Sequence, residues 1–73
     1  MNDDQKFIAA LAELSMKKEN FEKINEIFLL KDEDMINYWK ETKGVSDECI
    51  NKLANQAKEG RLKIYFENIL CFF

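Results

Sequence analysis

Arg61-Leu62-Lys63-Ile64-Tyr65-Phe66-Glu67-Asn68-Ile69-Leu70-Cys71-Phe72-Phe73 decides whether this chain is all helical or mixed. Ile64, Tyr65 and Phe66 have good strand propensity. Alternation nevertheless fails at Tyr65-Phe66, Ile69-Leu70 and Phe72-Phe73. Positions 62, 65, 66, 69, 70 and 73 are all apolar and form one broad helical stripe, with Lys63, Glu67 and Asn68 on a narrow polar one. The period therefore predicts a helix from Arg61 to near the end. Ile64, Cys71 and Phe72 fall outside the main stripe. A helix apolar around most of its circumference is central in a bundle or part of an interface.

Working back from that segment, the pattern stays helical. Gly60 is a stop signal. Ser46 is the cap of a fourth helix, with Asp47 and Glu48 in its first turn and Ile50, Leu53, Ala54 and Ala57 as its stripe. Gly44 ends a third helix that starts at Asp32 and carries Met35, Ile36, Tyr38 and Trp39. Phe21, Ile24, Ile27 and Phe28 form the face of a second helix, for which Asn20 is the expected cap. Asn2, with Gln5 three residues on, has capping-box spacing for a first helix over about residues 3–17. Phe7, Ile8, Leu11 and Leu14 give that helix its stripe. The expected fold is all-α, a single helical domain over residues 1–73 with about five short helices and the C-terminal helix central or at an interface.

Size limits what such a chain can do alone. At 73 residues it buries only about 60% of its unfolded surface, and scaffolds this small commonly add a metal, disulfides or a partner subunit. There is no His and only Cys49 and Cys71, too few ligands for a zinc site. No basic, apolar leader opens the sequence, so the cysteines are expected to be reduced thiols in a cytoplasmic protein. A partner subunit is left as the extra source of stability. Enrichment in Lys, Asn, Ile, Glu and Phe suggests AT-rich coding from a low-GC bacterium, or from one of its phages or plasmids.

Chemistry finds little support. Cys catalysis usually needs a nearby base, most often His, and none exists. Asp32-Glu33-Asp34 lacks the alternating ligands and central glycine of a calcium loop; it reads as a capped, dipole-favoured helix start. No cofactor motif is present, and no apolar run approaches a membrane span. The expectation is therefore not an enzyme.

Binding is the remaining class. The net charge is −3, with ten acids against six lysines up to residue 41 and five basic residues against four acids after it. Neither half has the strongly basic face expected of a nucleic-acid binder. The first half's mixed charge also argues against mimicry of DNA, which needs a one-sided carboxylate array. The leading expectation is a small cytosolic regulator or inhibitor that occludes a partner protein stoichiometrically, with a homodimer through the last helix as the immediate contact. Trp39, Tyr65, Ile69, Phe72 and Phe73 are the candidate partner-binding residues, chosen as aromatic or apolar anchors. The alternative is a helix-turn-helix DNA binder using residues 46–59. Asn51, Asn55 and Gln56 would read bases there, and Lys52, Lys58, Arg61 and Lys63 would meet phosphates. Against it stand Asp47 and Glu48, at the end of the helix that should face the bases.

Overall fold

In the computed structural model, residues 1–72 are described. They form five helices: α1 (Asp3–Leu14), α2 (Lys18–Leu29), α3 (Glu33–Lys43), α4 (Asp47–Lys58) and α5 (Leu62–Cys71). No strand occurs among the described residues. The Cα radius of gyration is 11.2 Å, matching the value of about 11 Å for a compact chain of this length.

Local chemistry sets most helix ends. The Asn2 side chain accepts from the Gln5 N–H at 2.8 Å, and the Gln5 side chain accepts from the Asn2 N–H at 3.0 Å, closing the capping box. Asp32 accepts from Met35 N–H at 3.2 Å and so caps α3. Ser46 caps α4 by accepting from Cys49 N–H at 3.1 Å. Gly44 ends α3 in the left-handed region at φ 67°. A Cβ there would lie 2.9 Å from the end of the exposed Asp3 side chain, which can swing aside, so it is the left-handed backbone that favours glycine. After α4, Gly60 is left-handed at φ 72°, and Arg61 N–H reaches back to the Gln56 carbonyl at 2.8 Å, a Schellman closure.

Two ends differ from the sequence reading. First, α1 stops at Leu14, three residues short of position 17. Second, α2 starts at Lys18, with an extended Lys17 at φ −88°, ψ 127°, and Asn20 lies inside its first turn rather than capping it. Lys17 supplies no side-chain cap; the helix begins there because Phe21, Ile24 and Phe28 need that turn to reach the core. The other end of α2 repeats the Schellman closure without glycine. Lys31 sits at φ 51° while Asp32 N–H bonds the Ile27 carbonyl at 3.0 Å.

Helix α1 packs against α5, α2 against α4, and α4 bridges to α5. Phe28, Phe66, Leu53 and Leu62 are the large side chains enclosed at the centre, joined by Ala12, which is fully buried. The most deeply set helix is α4, with Cys49, Ile50, Leu53 and Ala57 all buried. By contrast α5 buries only Leu62 and Phe66 completely, and Tyr65, Ile69 and Leu70 are half-buried against the core. α3 is attached mainly through Ile36 and Trp39. None of the described helices is long and apolar enough to cross a membrane.

Candidate functional site

The residues expected to bind a partner fall in two separate places. Trp39 lies on α3, with its ring edge-on to Phe7 at 5.0 Å between centroids and tilted over Phe28 at 5.5 Å. Such pairs add to the simple burial of area, so Trp39 is first a core residue that fastens α3 to α1 and α2. Its neighbour Tyr38 points out and is 56% exposed. Beside Trp39 runs a groove of about 480 Å³, walled by Phe7, Ala10, Leu11 and Leu14 and rimmed by Asp3, Lys6 and Lys43. Leu14, which its spacing places in the α1 stripe, is 52% exposed at this groove.

The second place is α5. Tyr65 and Ile69 are half-buried, and Tyr65 is held toward α4 with the Lys52 ammonium 5.6 Å from its ring centroid, a cation–π contact. Phe72 is 87% exposed. Phe73 lies outside the described residues. At 100° per residue, Ile64, Asn68 and Cys71 lie opposite the buried Leu62 and Phe66, with Glu67 on one flank and Arg61 and Phe72 on the other, and all six are exposed. Ile64, which the sequence marked as off the main stripe, is 57% exposed. It belongs with Phe72 in a surface seam more than Tyr65 or Ile69 do.

The two thiols occupy contrasting environments. Cys71 is exposed and unpaired. Cys49 is unpaired and buried; burial pushes its thiol up from 9.0 to about 11, with the Asp4 charge adding to this and Lys52 opposing it. A thiol so hard to ionise is a packing group, not a nucleophile. Among the described residues no three metal-ligating side chains gather.

The face of α4 proposed to read DNA is also in view. Asp47, Glu48, Asn51, Lys52, Asn55 and Lys58 are exposed, and Gln56 is half-buried. Its N-terminal turn is ringed by carboxylates. Asp4 of α1 accepts from the Ser46 N–H at 2.8 Å and from its hydroxyl at 2.5 Å, beside Asp47 and Glu48. Lys40 is spent on Asp47. This end of α4 repels phosphate, and it is the end a recognition helix presents to bases.

The chain matches no protein-family model, and no curated protein or solved structure is significantly similar to it.

Proposed function

We propose that this protein is a small binding module that acts by covering part of a partner protein, with the outward side of α5 as its contact surface. One observation carries this reading: Ile64 and Phe72 stand 57% and 87% exposed on one face of a short helix whose opposite face is already buried. Large apolar side chains aligned on one surface favour association with another macromolecule. Phe72 has the aromatic anchor chemistry common at binding hot spots. The Trp39 groove supplies a second apolar surface.

The test is comparative capture. Wild-type protein and an Ile64→Asp/Phe72→Asp double variant are immobilised and exposed to host lysate, and bound proteins are identified by mass spectrometry. A protein retained near one-to-one by the wild type and lost from the variant supports the reading. Equal recovery on both columns overturns it. Both side chains lie outside the core, so circular dichroism should show an unchanged helical fold in the variant.

A further inference from the structure

Four of the five helices close on themselves. The principal pairings are α1 with α5, α5 with α4, α4 with α2 and α2 with α1, so these four form a ring in which α3 takes no part. Of the eleven residues of α3 only Ile36 is buried, and at 9% it is the most exposed member of the core. α4, with twelve residues, buries four. What holds α3 down is Ile36, the Trp39 ring against Phe7 and Phe28, and the pairing of Lys40 with Asp47. That ion pair is partly solvent-exposed and adds little.

The flanks of α3 are fastened where its middle is not. Before it, Lys31 is left-handed at φ 51°, and the Asp32 N–H is fixed to the Ile27 carbonyl of α2. After it, Gly44 is left-handed at φ 67°, Val45 is buried, and Ser46 is held by Asp4 of α1. The helix is therefore slung between two pinned points, with a sharp turn at each end. Hinges of moving elements are a few residues at such junctions.

We infer that α3 is a strap that opens as a unit while the ring of α1, α2, α4 and α5 stays folded. Elements with few buried apolar contacts lie at the low-stability end of a protein and open ahead of its core, and α3 buries the fewest residues of the five helices. Opening withdraws Trp39 and uncovers Phe7 and Phe28, both buried in the closed molecule. It also removes the Trp39 wall of the groove on α1 and widens that groove onto Phe28. The strap thereby controls access to an aromatic surface that the closed fold hides. This device is independent of the outward side of α5 and goes beyond the binding-module reading.

Native-state hydrogen exchange on the full chain reads the opening residue by residue. After correction for intrinsic rates, the amides of residues 36–43 should exchange about tenfold or more faster than the slowest amides of α4. Their rates should also respond less steeply to added urea, because opening the strap exposes less surface than unfolding the whole molecule. A substitution within the ring then separates the two events. Ala57 is buried on α4, away from Ile36, Trp39 and Lys40 in sequence and element. Ala57→Gly should speed the slowest α4 amides by about fivefold or more. It should leave the α3 amides at the wild-type rate, since the ring is equally intact with the strap closed or open and its weakening cancels. Leu70→Ala, at a half-buried position of α5, gives the same comparison if Ala57→Gly fails to fold. Equal acceleration of α3 and α4 overturns the strap, because α3 is then released only when the whole molecule unfolds. Wild-type α3 amides as slow as those of α4 overturn it too.

Discussion

Asp4 and Ser46 are 42 residues apart in sequence, and both oxygens of one carboxylate grip the other residue's backbone N–H and hydroxyl. The same hydroxyl accepts from Cys49 N–H, so the cap of α4 is itself held by α1. The Ser46 hydroxyl first, and its N–H second, keep the Asp4 carboxyl below its ordinary value of 3.8, against a smaller opposing effect of desolvation. A carboxyl depressed in the fold stabilises it above the unfolded-state value, and that contribution is lost as pH falls through the lower folded value. Asp4→Asn should lower the urea midpoint at pH 7, and the two proteins should converge as the pH is taken below 3.8. Ser46→Ala should cost about 1 kcal/mol or more as a lost cap. The double variant should lose less than the two single losses combined, because each removes the same contact.

The two thiols should separate cleanly by reactivity. Cys71 is exposed and should react promptly with a thiol reagent in the native protein; Cys49 is buried and should react at the rate of unfolding. A raised thiol value favours the folded state fully below pH 9.0 and loses that advantage as pH rises through about 11. Thermal melts should therefore show a decline across this alkaline window that Cys49→Ala reduces. Equal labelling rates for both cysteines would contradict the burial of Cys49.

Trp39 and Tyr38 are adjacent and should behave oppositely. Trp39→Ala removes the ring that bridges Phe7 and Phe28 and should cost about 3 kcal/mol. Tyr38→Ala, at an exposed position, should stay within about 0.5 kcal/mol. Chemical denaturation followed by far-ultraviolet circular dichroism measures both without relying on the tryptophan signal.

Backbone geometry gives a matched pair of glycine tests. Gly44→Ala and Gly60→Ala both force a side chain into left-handed backbone, at φ 67° and 72°, costing about 1–2 kcal/mol each. Only Gly44 also meets the Asp3 carboxylate, at 2.9 Å from a new Cβ, and open space surrounds Gly60. Gly44→Ala should cost only slightly more, because the exposed Asp3 side chain can swing aside, and Asp3→Ala should recover that small excess but none of the loss at Gly60.

Both ends of α2 can be improved. Lys17 has the extended backbone of an N-cap with no capping side chain, so Lys17→Asp should raise stability by about 1 kcal/mol. Lys31 is exposed in left-handed backbone, and Lys31→Gly should raise it by about 1 kcal/mol. In a domain this small each gain should raise Tm by roughly 4–8 °C. An unchanged melting temperature would mean that the ends of α2 are fixed by tertiary packing alone.

These sites also show what was legible beforehand. Asn2 with Gln5, Asp32, Ser46 and the two glycines act on neighbours within a few residues, so their spacing announces them. The start of α2 could not be read, because Lys17 is an ordinary surface residue and the helix is set by where Phe21, Ile24 and Phe28 must reach. Nothing local singles out Asp4, because its bond to Ser46 depends on how α1 lies against the start of α4. For α5, period alone separated Ile64, Cys71 and Phe72 from the buried stripe, and these are exposed. Tyr65 and Ile69 are more sheltered than anchor chemistry suggested, since α4 lies beside them with Lys52 over the tyrosine ring. The Trp39 groove required knowing how α3 lies beside α1.

Because α1 packs against α5, α1 must wait for a helix that is synthesised well after it. A nascent chain ending at Gly60 has made Phe7, Leu11 and Ala12 but lacks Leu62 and Phe66, the residues that close over the core with them. Folding is thus deferred until synthesis of α5 is complete, and until then the apolar side of α1 is open to chaperones.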